Sequence, residues 1–304
     1  MPNPVMVNSR SPIPVQAGRM AALEDRLSQL TGQMATGERF STPSEDPAAA
    51  NRALMLVRLQ KQLQADKRSL DRADSRLSLA ETAVKTAGDA LLRGRELALT
   101  AANGATSDEG RQIILREVQV LQEQLLSAAN LRDEGGRYVF AGARSAEAAY
   151  VADADGVVSW QGSDTAAGAE AAGVGSASLP RGPALFGPDA GGAFASLQAL
   201  AAALAEPDAG LRSSGMATAL DGLETAYDRV TEGQARIGSG RARLETEGDR
   251  LAAAQLHTKQ ALAATNGLDM AAAVMELEAL KLSLSASQGA FLRVFDGSLF
   301  DRLG

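Results

Sequence analysis

Apolar residues recur along this chain at helical spacing for most of its length. Leu23, Leu27, Leu30 and Met34 are four, three and four residues apart, which puts them on one stripe of a helix that stops near Gly37. The segment Ser41-Thr-Pro-Ser-Glu-Asp-Pro-Ala48 then acts as an extended joint, with Asp46 as N-cap and Pro47 at the first position of a new helix. From there Leu56, Leu63, Leu70, Leu77, Val84 and Leu91 follow one another at intervals of seven. The positions three further on are Leu59, Asp66, Ala73, Ala80, Ala87 and Gly94, so half of this heptad seam is small enough for a neighbouring helix to approach. Asp66 is expected at the seam's edge or paired with a base. A helix from Pro47 to near Ala102 would run about 80 Å at 1.5 Å per residue, too long for a compact domain to bury, and predicts a rod. Asn103-Gly104 stops it, and Thr106-Ser-Asp-Glu109 is a capping box for the next helix. Ile114, Val118, Leu121, Leu125 and Ala128 form that helix's stripe, and the short turn predicts an antiparallel hairpin.

The pattern changes after Gly135-Gly136. Tyr138-Val-Phe140 and Val157-Val158-Ser-Trp160 read as short strands, with Asp153-Ala-Asp-Gly156 as a turn, and Gly and Ala dominate onward to Gly192. Heptads return at Leu223, Val230, Ile237, Leu244 and Leu251, accompanied by Leu220 and Tyr227. Asn266-Gly267 interrupts them, and a last helix carries Val274, Leu277, Leu284, Phe291 and Val294 on one side. The predicted fold is mainly α: long antiparallel heptad helices, paired terminal helices and a small β-rich insertion. Three domains follow: a terminal helical assembly domain (1–40 with 268–304), a helical rod (41–142 with 193–267) and an outer insertion (143–192). The heptad ladders are expected to hold the rod together, and the shorter terminal stripes to assemble with other helices.

Composition narrows the chemistry. The net charge of −7, from 30 basic and 37 acidic residues, opposes binding to a phosphate backbone, so nucleic acid is not an expected partner. There is no cysteine, hence no disulfide, thiol nucleophile or thiolate metal site. No stretch approaches the length of apolar sequence needed to span a bilayer, and the Pro-rich start lacks the apolar run of a cleaved signal. The single histidine, His257, is read as a surface helix residue, since it has no partners for metal binding or proton relay. Asp153-Ala-Asp-Gly156 lacks the later ligands of a calcium loop. No serine lies in a Gly-x-Ser-x-Gly elbow, and no Gly-rich stretch ends in the Lys-Ser/Thr of a phosphate loop. Neither an enzyme nor a cofactor is expected.

Local sequence carries a resemblance. Arg95-Glu-Leu-Ala-Leu-Thr-Ala-Ala-Asn-Gly-Ala-Thr-Ser-Asp108 is similar to the amino-terminal rod segment of the bacterial flagellin superfamily, and Met34-Ala-Thr-Gly-Glu-Arg-Phe-Ser-Thr-Pro-Ser-Glu-Asp-Pro47 to its joint. Two branches compete, filament flagellins and the hook-filament junction proteins known as hook-associated protein 3. Pro43-Ser-Glu-Asp-Pro47, Gly136-Arg-Tyr-Val-Phe-Ala-Gly142 and the terminus Gly297-Ser-Leu-Phe-Asp-Arg-Leu-Gly304 resemble the junction branch more closely. The Pro-rich opening departs from both. The resemblance implies an extracellular subunit of the flagellum, exported unfolded through its type III channel. Its implied partners are copies of itself, hook-associated protein 1, flagellin and an export chaperone. A coiled-coil adaptor is the reading from another class; it accounts for the heptads but not for the paired joints. Isolated helices as short as the terminal ones are marginal in water, so both ends are expected to fold only on packing.

Overall fold

The computed structural model describes residues 12–40, 42–103, 106–154, 156–164, 180–188 and 192–300, with the side chains of 12–14 and 293–300 left aside. Its elements in chain order are α1 (Pro12–Thr36), α2 (Pro47–Ala102), α3 (Asp108–Ala129), β1 (Tyr150–Ala152), β2 (Val158–Trp160), α4 (Gly182–Phe186), α5 (Ala193–Ala205), α6 (Ala209–Asn266) and α7 (Met270–Phe300). The chain forms two compact units, one of residues 1–62 with 254–304 and one of residues 63–253. The mainly helical architecture is as the periodicity predicts.

Helix starts follow local chemistry. Asp46 caps α2: its carboxylate accepts the Ala49 N–H at 2.9 Å, and its carbonyl the Ala50 N–H at 2.9 Å. The cap of α3 lies one residue beyond the expected Thr106. Ser107 holds the extended conformation there and accepts the Gly110 N–H at 3.1 Å. The Thr106 hydroxyl instead turns back and donates to the Thr100 carbonyl at 3.0 Å, which removes it from capping.

In the unit of residues 63–253, α2 and α6 run antiparallel in steady register. Leu70 meets Gly248, Arg241 reaches Asp74 (3.1 Å) and Glu81 (2.7 Å), Gly88 faces Val230, and Gly94 faces Leu223. Residue numbers rise on one helix as they fall on the other, so the two heptad ladders face each other. Leu63, Leu70, Leu77, Val84 and Leu91 are buried, as are Leu223, Val230, Ile237, Leu244 and Leu251. Ala80, Ala87 and Gly94 fill the small half of the seam as expected. Asp66 is half-buried and lies close enough to Arg250 of α6 for its charge to act there. On α6 the companions are Ala219, Ala226 and Gly233, all buried, whereas Leu220 and Tyr227 are half-buried. Small side chains four residues before Leu223, Val230 and Ile237 let the helices close there, and the larger pair is left at the margin.

Against α2, α3 is also antiparallel, with Arg93 Nε 2.7 Å from Glu117 and Arg76 3.9 Å from Asp133 just beyond the helix. The α5 helix was not foreseen. It is apolar nearly all round, so it shows no amphipathic stripe, and it packs along α3. It presses close to two glycines: a Cβ at Gly94 would stand 2.8 Å from Leu197 Cδ2, and one at Gly222 2.8 Å from Ser196 Oγ.

Among the described residues between α3 and α5, only β1 and β2 are strand, and much of the Gly- and Ala-rich run, residues 165–179 and 189–191, lies outside the described residues. Tyr138-Val-Phe140 is not a strand: Tyr138 N–H donates to Ser145 and Val139 N–H to Leu131, which folds this run into a buried turn. Phe140, Tyr150, Phe186 and Phe194 build a small aromatic core, with ring centroids 5.0 to 6.1 Å apart. β1 and β2 pair antiparallel, Tyr150 opposite Trp160. The Asp153 carboxylate accepts the Val157 N–H at 2.8 Å and closes the turn between them. Asn130 acts as a substitute strand, since its amide donates to the Tyr150 carbonyl (2.8 Å) and accepts the Tyr150 N–H (2.9 Å).

Candidate assembly interface

The unit of residues 1–62 and 254–304 contains both ends of the chain. α1 enters the first joint and α7 leaves the second, and the two joints are hydrogen-bonded to each other. Gly37 ends α1 in the left-handed region (φ 72°), where a residue without Cβ is unstrained, and its N–H donates to Gln33 at 2.8 Å. The Leu268 N–H donates to the Gly37 carbonyl at 3.0 Å, and the Arg39 N–H to the Asn266 carbonyl at 2.8 Å. Glu38 and Gly267 form the antiparallel bridge between these contacts.

Arg39 binds three chain segments. Its guanidinium donates to Asp46 at 3.3 Å and to the Thr265 carbonyl at 3.2 Å, while its own carbonyl accepts from the buried Gln33 amide at 2.5 Å. Asp269 caps α7 by accepting the Ala271 and Ala272 N–H groups at 3.0 and 3.1 Å. Further out, Arg26 of α1 donates through Nε (3.0 Å) and Nη2 (2.7 Å) to Glu276 of α7. Because residues near 37 meet residues near 267, and 26 meets 276, the two terminal helices are antiparallel. A cleft of about 580 Å³ opens beside the joints, floored by Leu30 and Phe40 and edged by Arg26, Asp46, Asp269 and Glu276. The Asp46 and Asp269 carboxylates serve caps, and Arg26 and Glu276 serve each other. The chemistry of this region is burial and register.

The expected stripe on α1 is present: Leu30 is buried, and Leu23, Leu27 and Met34 are half-buried. On α7, Leu277, Leu284 and Phe291 are half-buried. Val274 is exposed at 45%, and Ala273 takes its place at 3%. The covered face runs through 273, 277, 280, 284, 287 and 291, alternately four and three residues apart, and Val274 lies one residue, about 100°, round the helix. The Val294 side chain lies outside the described residues. At the start of the α2 ladder Leu56 is half-buried and its companion Leu59 exposed. The Gln33, Arg39 and Asn266 contacts were missed. The one sequence signal for them is that both helices end at a glycine, Gly37 and Gly267.

This unit carries many large apolar side chains in the open: Leu54, Met55 and Leu59 on α2, Leu256 on α6, and Met270, Val274, Met275, Leu282 and Leu292 on α7.

Elsewhere the charges are structural. Arg241 is held further toward its protonated form by its hydrogen bonds to Asp74 and then Glu81, and Arg93 by Glu117 and then Glu96. His257 is exposed on α6. Among the described residues there is no group of three or more His, Cys, Asp or Glu placed to hold a metal, and no helix long and apolar enough to cross a membrane.

The chain is 36% identical over 118 residues to flagellar hook-associated protein 3 of Escherichia coli K12, covering 39% of this chain and 37% of that protein. It is 26% identical over 139 residues to polar flagellin F of Vibrio parahaemolyticus, covering 46% of this chain and 37% of that one. The matched stretches therefore span under two fifths of either relative. A solved Vibrio parahaemolyticus structure described as a flagellar hook-associated protein superposes with a TM-score of 0.62 at 18% identity, over 73% of this chain and 99% of that one, and so shares the fold. The models for the bacterial flagellin N-terminal and C-terminal helical regions match residues 16–145 and 220–294, so the chain belongs to the bacterial flagellin family, a family of structural flagellar components and not of enzymes.

Proposed function

We propose that this chain is a structural subunit that joins the flagellar hook to the filament, building a tubular ring with copies of itself through its terminal helices. The observation that carries the reading is the unit in which α1 and α7 cover one face of each other while Met275, Leu282 and Leu292 of α7 remain exposed. A helix with apolar residues on two faces needs more than one partner helix. Each Leu or Phe taken from water on assembly contributes about 1.5 to 3 kcal/mol before ordering entropy is subtracted.

In this reading the assembly residues are Leu23, Leu27, Leu30, Met34, Val274, Leu277, Leu284, Phe291 and Val294; Leu30 is already covered within the chain, so the pairing of α1 with α7 shapes the unit, and the outward Val274, with Met275, Leu282 and Leu292, supplies the surface that meets a neighbouring copy. The subunit passes through the flagellar export channel with the help of a chaperone, is placed outside the cell, and contacts hook-associated protein 1 on one side and flagellin on the other. The three-part division stands as a proposal too: ends that assemble, a heptad section that spaces them, and residues 143–192 as an outer insertion. The junction role is favoured over the filament role by the higher identity to a hook-associated protein than to a flagellin. Imaging flagella of a deletion strain tests it. Hooks without filaments and flagellin released into the medium are the expected result, and normal filaments overturn the proposal. Copies per flagellum separate the two roles, since a junction ring needs few and a filament very many.

A further inference from the structure

Sulfur in this chain is confined to methionine, because there are eight Met and no Cys. Their surroundings differ sharply. Met55 is 69% exposed and Met275 68%, both in the unit that holds the two chain ends, whereas Met216 in the other unit is 3% exposed. Met270 of α7 is also open, at 46%, and the two most open, Met55 and Met275, sit among other open apolar side chains. Leu54 and Leu59 lie near Met55 on α2, and Val274 and Leu282 near Met275 on α7. A thioether suits adaptable apolar contacts, and it is also the group that peroxide oxidises.

We propose that Met55 and Met275 are an oxidative modification site: sulfoxidation of the free subunit blocks its incorporation, and incorporation shields both sulfurs. The inference rests on the reading that this unit assembles. In the reaction the sulfur lone pair attacks one oxygen of hydrogen peroxide and the O–O bond breaks. The transferred hydroxyl loses its proton to the departing hydroxide, leaving a sulfoxide and one water. Sulfur is oxidised and peroxide reduced by two electrons. The S=O group is a strong acceptor, and burying it among apolar side chains without a hydrogen-bond donor is unfavourable. Methionine sulfoxide reductases reverse the change.

The test treats the full-length subunit with hydrogen peroxide, maps added oxygen by peptide mass, and measures incorporation into flagella. Oxygen should appear at Met55 and Met275 well before Met216, and incorporation should fall about tenfold or more for each thioether that assembly buries. Reductase treatment should restore it. The M55L/M275L double variant keeps an apolar side chain at both positions and should incorporate equally with and without peroxide. Equal incorporation of treated and untreated wild type, or an equal loss in the double variant, overturns this inference alone. Failure of the untreated subunit to incorporate overturns the assembly reading beneath it.

Discussion

The main-chain N–H of Arg39 donates to the carbonyl of Asn266 at 2.8 Å, and this one bond ties the end of the first joint to the end of α6. It explains how two distant stretches of sequence serve one structural purpose. Gly37 must turn sharply for Arg39 to reach Asn266, and Leu268 answers with its bond to the Gly37 carbonyl.

Gly37→Val should therefore loosen the terminal pair. A β-branched residue forced to φ 72° costs about 1 to 2 kcal/mol. Hydrogen exchange on the subunit should show faster exchange at residues 20–36 and 270–284, with the heptad section unchanged. Unaltered exchange at both ends would show that the joint does not depend on this turn.

Two neighbouring hydroxyls give a contrast at the α3 start. Ser107→Ala removes the cap and should cost about 1 kcal/mol of stability. Thr106→Ala, losing only an exposed bond to the Thr100 carbonyl, should cost less. Denaturant unfolding of both variants checks the order, and a reversed order would return the cap to Thr106.

Glycines on the long helices divide by their surroundings. Gly94→Val would drive a side chain into Leu197 and Leu223, and overpacking of this kind costs roughly 1 to 3 kcal/mol. Gly238 has open space where its Cβ would stand, so Gly238→Ala should stabilise α6 by roughly 0.5 to 1 kcal/mol. Thermal unfolding should move in opposite directions for the two.

One ion pair gives a pH-dependent signal. The hydrogen bond from Arg250 holds the Glu247 carboxyl below its ordinary range. A depressed carboxyl stabilises the fold above its unfolded-state pKa, and that contribution is lost as pH falls through the folded value. Glu247→Gln should thus differ from wild type near neutral pH and converge with it in acid. The difference should be small, because the pair is exposed. Unfolding midpoints across pH measure it, and a gap that widens in acid would refute the assignment.

Much of this architecture is legible in the order of residues, and the misses share a cause. The ladders from Leu63 to Leu91 and from Leu223 to Leu251 are buried as their spacing predicts, because a seven-residue repeat maps directly onto one helix face. The α5 helix escaped because Ala and Leu on every side leave no face to detect. Tyr138-Val-Phe140 has strand composition, yet its backbone bonds go to Ser145 and Leu131, partners that only tertiary packing brings near. On α7 the spacing groups Val274 with Leu277 and Leu284 on one side, whereas the face against α1 takes Ala273. The contact with α1 selects by angle and takes the smaller residue. At the joints, Gln33, Arg39 and Asn266 are joined through main-chain carbonyls as acceptors, which side-chain pattern does not encode.

The central claim is that the terminal helices assemble and the heptad section does not. Leu27→Asp and Leu284→Asp each place a charge on the half-buried faces of α1 and α7, far in sequence from the heptad ladders. Incorporation of each variant into flagella, measured beside its helical content by circular dichroism, tests this most directly. The account predicts that incorporation is lost while the rods stay helical, so that helical content falls by no more than the two terminal helices contribute. Normal incorporation of either variant would contradict it.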